Sequence, residues 1–325
     1  MWVRVGALVL LVLPLHARAQ QDTPVPPPGN PSPQSSASDQ PASTGEPAIA
    51  KPDLTPSPDG KLSQEQMREL TRVVAQNYRD NYNRERDYTF VRRDVEHNID
   101  GNGQAKSSEI KTYEVLQVYG EQVWRLVQKD DKPLDAKESA KEEEKIQKVI
   151  DKHKDESDEE RRKREEKQAK ARDEERKFVS EVADTYDFTL VGTELVDGRE
   201  AWVIDGEPRP GFEPHEKDAK FLSRFHGRMW IDKADMQLAK LHVEALDTAS
   251  VGWVLARIHK GTQFTFERTR MTDEIWLPLH LSYKFDARVA LFKGYNVEGD
   301  STFRDYKKFS ASSKIVGMGE APEEK

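Results

Sequence analysis

The chain of 325 residues contains no cysteine. No disulfide can therefore stabilise the protein, and a hydrophobic core has to do so. The same absence excludes a lipid-modified precursor of the usual bacterial kind, which carries a cysteine after its N-terminal apolar segment. A chain of this length is sufficient for one or two domains.

Positive charge is not in excess either, because 51 Lys and Arg residues face 59 Asp and Glu residues, a net charge of −8. Nucleic acid is therefore not an expected partner, since proteins that bind it present a basic surface. Beyond residue 19 the sequence lacks an apolar run near the roughly twenty residues of a membrane span. We expect no transmembrane segment in the mature chain.

Residues 1–19 have the features of an export signal. Arg4 supplies positive charge, an apolar stretch of roughly eleven residues follows, and an Ala-Arg-Ala sequence offers the small-x-small cleavage pattern. The apolar stretch is short for a membrane span, although an uncleaved anchor is the alternative. We predict cleavage between Ala19 and Gln20 and a periplasmic or secreted protein.

Two segments have too little apolar content to offset the entropy of ordering them. Residues 20–61 are rich in Pro, Ser, Gly and Gln, and we predict a disordered tether there. A polyproline ligand for a partner is the alternative. Residues 311–325 are predicted to be a disordered tail, which leaves 62–310 as the folded domain.

A helix is predicted to open this domain. Ser63 and Gln66 form a capping-box pattern. Apolar residues then recur at helical spacing and should pack on a sheet: Met67, Leu70, Val73, Val74 and Tyr78.

From Tyr88 the apolar period changes to two, and strand-like segments alternate with turn sequences as far as Phe309. This pattern predicts a mainly β (α+β) fold, a curved antiparallel meander of about nine to eleven strands. A sheet of that size curls into a barrel or half-barrel, and helices must cover its apolar face.

Residues 137–177 interrupt the strands with a run rich in Lys, Arg and Glu. Helix propensity and i,i+4 ion pairs favour helix here. A second capping-box pattern at Ser157 and Glu160 indicates two helices. We interpret the run as a solvated helical insertion that the sheet does not need for folding; a binding arm is the alternative.

One further stretch, 250–261, departs from the strand period. Its apolar residues fall on one helical face, which predicts a short helix against the open face of the sheet. The helix would either seal the core or form a lid over an apolar cavity. Phe264 and Phe266 should share one strand face, and Leu277, Leu279 and Leu281 one face of the next strand. The predicted cavity lining is Trp253, Val254, Leu255, Ile258, Phe264, Phe266, Leu277, Leu279 and Leu281.

No catalytic or metal-binding pattern stands out. The histidines His97, His226, His242, His259 and His280 occur singly, without ligand spacing. Nucleophile-elbow, P-loop and dinucleotide-binding motifs are missing. We therefore expect neither an enzyme nor a cofactor.

Several sequences together resemble the LolA/LolB-like superfamily of outer-membrane lipoprotein-sorting proteins: DGREAWVIDGEPRPGFEP, GRMWIDKADMQLAKLHVEALD, LARIHKGTQFTFERTRMTDEIWLP and FRDYKKF. The likeness covers roughly residues 63–310 and points to an uncharacterised secreted bacterial branch. It implies an unclosed half-barrel around helices, with an apolar cavity that holds acyl chains in the carriers. The charged insertion and the long tether depart from those carriers.

Two functions follow as expectations. The first is a periplasmic carrier that binds lipid or acylated protein as a monomer. The second is an envelope regulatory or protein-interaction module that uses the charged insertion to contact an envelope protein. The sequence leaves the identity of the ligand open.

Overall fold

A computed structural model describes residues 52–308 apart from 86, 119–120, 155, 214–216, 252–255, 274 and 290–292. The predicted export signal with Ala19 and Gln20, most of the tether, and the tail 311–325 lie outside the described residues. The described helices are α1 (Gln64–Glu85), α2 (Ala136–Lys154), α3 (Asp158–Thr185) and a 3-10 helix (Lys217–Arg224). The strands are β1 (Lys61–Leu62), β2 (Tyr88–Ile99), β3 (Ala105–Val118), β4 (Glu121–Lys129), β5 (Lys132–Pro133), β6 (Tyr186–Val196), β7 (Arg199–Pro208), β8 (Phe225–Asp232), β9 (Leu238–Ala245), β10 (Ala249–Val251), β11 (Ala256–Ile258), β12 (Gln263–Thr272), β13 (Ile275–Val289) and β14 (Lys293–Lys308).

These strands form one antiparallel sheet in the order β1-β6-β7-β8-β9-β12-β13-β14-β2-β3-β4-β5. The final strand, β14, pairs with β2 and so joins an N-terminal and a C-terminal meander. The two ends of this order do not pair with each other, so the sheet is an unclosed half-barrel. The predicted fold class is confirmed. Ten strands have eight or more residues, and four have only two or three.

Helix α1 begins where the capping box predicts. The Ser63 amide donates to Gln66 Oε1 at 2.8 Å, and the Gln66 amide donates to Ser63 Oγ at 3.1 Å. The side-chain amide of Gln66 (Nε2) also donates to the carbonyl oxygens of Asp53 and Thr55, at 3.1 and 2.7 Å. Leu54 is buried between these two contacts. The residues around Leu54 are thus held against the start of α1.

The charged insertion is helical, as predicted, and breaks into two helices at the Ser157 capping box. It connects β5, at one edge of the sheet, to β6, which lies next to the short edge strand β1 at the other side. Helix α2 is not merely solvated. Arg125 of β4 pairs with Glu143 at 2.9 Å, and the Leu126 amide donates to Glu142 at 3.3 Å. Helix α2 therefore covers the strand β4, and the insertion supplies partners to that edge.

The predicted helix at 250–261 is wrong. Residues 249–251 and 256–258 are the short strands β10 and β11, which pair with each other. Strand β11 also pairs with the end of β13, where Ile258 lies opposite Ala287. The backbone donors and acceptors of β13 beyond its pairing with β12 thus take an extended partner, which overrides the local helical spacing. Trp253, Val254 and Leu255 lie outside the described residues.

Candidate functional site

One face of the sheet packs against α1, and we call it the helix-covered face. The Arg268 guanidinium of β12 lies over the Tyr78 ring of α1, 5.1 Å from its centroid. Alternate residues of β12 share this face, so Phe264 and Phe266 lie on it too. Residues directly opposite in antiparallel strands also share a face. The pairing register therefore extends the helix-covered face to Leu241, Leu281, Ser301 and Asp94.

Helix α1 closes one end of this face. The Asn81 side chain donates to the carbonyl oxygen of Trp276 at 2.5 Å and accepts from its amide at 2.6 Å. Arg268, only 2% exposed, donates to the same carbonyl oxygen at 2.8 Å. Glu85 is buried nearby, and burial raises its pKa to about 7 although the charge of Arg268 lowers it. This end is a filled polar core and not a cavity.

Away from α1, the helix-covered face carries apolar side chains that remain partly exposed. They are Leu241, Phe264, Tyr283 and Phe285, on three neighbouring strands, and we call them the apolar shelf. Buried Phe266 and Leu281 lie between the shelf and the end that α1 covers. Among the described residues, the shelf is thus an accessible part of the apolar face.

The same face changes character on β2, β3 and β14. Arg92, Asp94 and Glu96 alternate along β2, with Tyr113 opposite Arg92 on β3 and Ser301 opposite Asp94 on β14. We call these five residues the polar strip. Arg92 donates through Nε to Asp94 Oδ1 at 2.6 Å and through Nη2 to Ser301 Oγ at 3.2 Å.

Aromatic rings and carboxylates surround the polar strip. The Arg92 guanidinium lies 4.5 Å from the Trp124 ring centroid and 5.4 Å from that of Phe303. Burial, followed by the charge of Asp94, raises the pKa of Tyr113 to about 12. The Tyr283 hydroxyl donates to Glu96 Oε2 at 2.9 Å, and burial raises its pKa well above the ordinary value. Tyr283 therefore joins the apolar shelf to the polar strip.

The structure separates the residues predicted to line one cavity. Ile258, Phe266, Leu277 and Leu281 are buried, Phe264 is partly exposed, and Leu279 is 40% exposed. The register between β12 and β13 skips Leu279, because Glu267 pairs with His280 and Arg268 with Pro278. This β-bulge breaks the alternation. Leu277 lies opposite Thr269 and Leu281 opposite Phe266, so the two leucines lie on opposite faces, and the predicted shared face is wrong.

Depressions in the described surface do not coincide with the predicted cavity. A depression of about 520 Å³ lies beside the start of α1, lined by Pro52, Asp53, Ser63, Glu65, Gln66, Arg68, Glu69 and Arg72. A smaller one of about 140 Å³ is lined by Arg84, Asp87, Tyr88, Ile275 and Lys308. Both are predominantly polar in their side chains. Neither depression includes a residue of the shelf.

Sequence reasoning missed the polar strip. Its signal was present, because Arg92, Asp94 and Glu96 alternate with the same period as Phe90, which is buried. Charged residues in a strand ordinarily face solvent, so the alternation alone does not predict a strip beside buried residues. The histidines His226, His242 and His280 do lie on the opposite, outer face, beside Glu207, Thr265 and Asp300 respectively. Within the described ranges, no group of three or more His, Asp or Glu residues is placed to hold a metal ion.

Comparison with known proteins gives no sequence relative: no family model and no curated protein matches the chain. Solved structures do match, at 8–11% identity. A domain assigned to outer membrane lipoprotein sorting from Vibrio parahaemolyticus covers 77% of this chain and 95% of its own, with 10% identity and a TM-score of 0.35. A LolA superfamily protein from Nitrosomonas europaea covers 73% and 94%, with 8% identity and a TM-score of 0.29.

The MucA/MucB complex of Pseudomonas aeruginosa also matches, covering 73% of this chain and 99% of its own, with 10% identity and a TM-score of 0.20. At such scores none of the three carries a conclusion about function. The class that the fold itself defines is an unclosed antiparallel half-barrel, partly covered by helices. None of the helices in the described part of the chain has the length and apolar content needed to cross a membrane.

Proposed function

We propose that this protein is a periplasmic carrier that binds lipid or acylated protein on the helix-covered face of its half-barrel. The observation that carries the proposal is the apolar shelf. Phe264, Tyr283 and Phe285 stay partly exposed on a face where Phe266 and Leu281 are buried. The export signal predicted at residues 1–19 supports the periplasmic location.

The energetics favour an apolar occupant. Complete burial of a large apolar side chain stabilises by about 1.5–3 kcal/mol. The shelf residues are only partly buried, so part of that stabilisation remains for a ligand to supply. Sites for small molecules are mostly apolar, with a few polar groups that fix the orientation of the ligand. The shelf with the adjoining polar strip has this composition.

The test is titration with a fluorescent fatty acid, comparing Phe264→Glu with Leu279→Glu. Each change introduces one carboxylate, on β12 or on the neighbouring strand β13. Phe264 belongs to the shelf, whereas Leu279 is exposed at the β-bulge. We expect Phe264→Glu to weaken binding by at least about tenfold, since it puts a charge where the chain would lie. Leu279→Glu should bind as wild type does. Equal binding by wild type and Phe264→Glu, with both folded, would remove the shelf from the site.

A second function, an interaction module that uses the charged insertion, has one observation in its favour. From Asp158 to Lys170 the described side chains of α3 are exposed, except for Arg164, which is partly buried. The last turn of α3 contacts α1, where Asp184 pairs with Arg68 at 2.6 Å. The titration separates the two functions. A folded wild-type protein that binds no acyl probe would leave the interaction module as the better proposal.

A further inference from the structure

We propose that the polar strip is a head-group site and that the ligand of the shelf is a zwitterionic amphiphile. This inference rests on the proposed function and adds the charge of the ligand to it. The strip and the shelf lie on one continuous face, since Leu281 pairs with Ser301 and Ser301 with Asp94. A ligand whose acyl chain covers Phe264 and Tyr283 therefore brings its polar end to β2.

The cationic half of the strip is Arg92. It is 8% exposed and packed between the rings of Trp124 and Phe303. Its Nε and Nη2 have acceptors, and in the described part of the chain Nη1 has none. The hydroxyl of Tyr113, directly opposite, has no acceptor among the described residues either. Neither donor is among the buried polar atoms without a partner, so both reach solvent and are accessible to a ligand. An anionic group of a ligand would satisfy Nη1 and the Tyr113 hydroxyl together.

The anionic half consists of Asp94 and Glu96. Asp94 uses Oδ1 to accept from Arg92 and keeps 24% of its side chain exposed. Glu96 uses Oε2 to accept from Tyr283. Each carboxylate thus has a second oxygen without a donor in the described chain. Same-face neighbours along a strand are about 7 Å apart. The few atoms between the two charges of a head group can span the distance from the Arg92 donor to this negative pair.

The charge balance argues for both signs in the ligand. Arg92 is already neutralised by Asp94, and the neighbouring Lys111 pairs with Glu109 at 2.8 Å. A ligand bearing only negative charge would therefore meet Asp94 and Glu96 without compensation. A ligand bearing only positive charge would leave Arg92 Nη1 unused. A head group with a phosphate and an ammonium satisfies both halves through charge-assisted hydrogen bonds.

The experiment displaces the bound fluorescent fatty acid with two lysophospholipids of equal acyl length, one carrying phosphoethanolamine and one carrying phosphoglycerol. Wild type should prefer the zwitterionic lipid by roughly tenfold, as expected for one added charge-assisted contact. Arg92→Met and Asp94→Asn should each lose that preference. Arg93→Met and Asp131→Asn are matched controls, because these two residues pair with each other at 2.8 Å on the outer face.

The outcomes are distinguishable. Equal affinity of wild type for both lipids overturns the head-group site and leaves the apolar carrier intact. Displacement by neither lipid, in a protein that also fails to bind the acyl probe, removes the proposed function itself. If Arg92→Met does not fold, Asp94→Asn and Glu96→Gln decide the matter alone, since both keep the shape of the side chain. Unchanged preference in both of these variants overturns the proposal.

Discussion

The two faces of the half-barrel carry charged residues under opposite conditions. On the outer face, Lys240 pairs with Glu267 at 2.7 Å and Lys284 with Glu298 at 3.0 Å, and all four side chains remain in contact with solvent. On the helix-covered face, Arg92 and Arg268 are buried among aromatic rings. Exposed ion pairs contribute about 0–1 kcal/mol each. Buried charges are costly unless each has a partner, so those of the helix-covered face must be maintained for a specific reason.

This difference in burial between the two faces indicates where functional charges lie in this fold. Strand alternation places charged residues on both faces, and the side chains packed around each charge decide how much water it loses. Under α1 the charges are matched by protein groups, since Arg268 donates to both Gln237 and Trp276. Beyond α1, in the polar strip, Arg92 Nη1 and one oxygen of each carboxylate have no hydrogen-bond partner among the described residues. Charge substitutions should therefore have effects that depend on the face.

The largest expected effect is that of Arg268→Met. The change removes the hydrogen bond to the Trp276 carbonyl oxygen and the contact with Tyr78, and it leaves buried Glu85 without a nearby positive charge. Removing one partner of a buried charged group costs about 3–5 kcal/mol. Urea denaturation of both proteins measures the loss in free energy of unfolding.

The matched control is Arg228→Met on the outer face. Arg228 contacts Asp205 through two hydrogen bonds, at 2.5 and 2.7 Å, but keeps 41% of its side chain exposed. Its removal should cost less than about 1 kcal/mol. Similar losses for the two arginines would contradict the contrast between the faces.

The next largest expected effect is the change of stability with pH that Glu85 causes. Its pKa in the folded protein is about 7, against 4.5 without burial. Between these values the native state holds a proton that the unfolded state has released, so this group lowers stability as pH rises from about 4.5 to 7. A shift of this size corresponds to at most about 3 kcal/mol. Glu85→Gln should thus stabilise the protein at pH 8 and leave it unchanged at pH 4.

Thermal unfolding of wild type and Glu85→Gln across this pH range tests the point. Glu69→Gln is the control, because Glu69 lies on the exposed side of α1 and its pairing with Arg72 lowers its pKa. It should show no gain at pH 8. A difference between wild type and Glu85→Gln that stays constant from pH 4 to pH 8 would mean that Glu85 is not buried as described.

Much of the fold could be predicted from sequence because it depends on local chemistry. The capping boxes at Ser63 and Ser157 form as their spacing predicts. The change to a period of two marks the start of the sheet at Tyr88. The order of strands could not be read in this way, because the pairing of β14 with β2 joins residues about 200 positions apart in the sequence.

The candidate site was predicted less well, for a physical reason. A single β-bulge at Leu279 shifts the alternation of β13, and the sequence PLHLS (278–282) contains no residue that predicts it. The spacing at 250–261 is helical, but residues 256–258 pair with β13 as a strand. Among the described residues of the predicted lining, Phe264 belongs to the shelf. The domain limits and the cleavage after Ala19 stay predictions.

The smallest expected effect on stability comes from two glycines of one strand that lie on opposite faces. Gly299 and Gly294 both belong to β14, but Gly299 lies on the helix-covered face opposite Tyr283 and Gly294 on the outer face opposite Arg288. A methyl group at Gly299 would overlap the Tyr283 ring, whereas one at Gly294 would meet nothing within 4 Å. Gly299→Ala must therefore displace the ring and break its hydrogen bond to Glu96, at a cost of about 1–2 kcal/mol. Gly294→Ala should change stability by less than about 0.5 kcal/mol, because it adds a side chain in open space. Urea denaturation of the two variants measures the difference, and the fluorescence of the acyl probe should fall only for Gly299→Ala. Equal stability of both variants would show that Tyr283 moves freely, and the link that it makes between shelf and strip would then be lost.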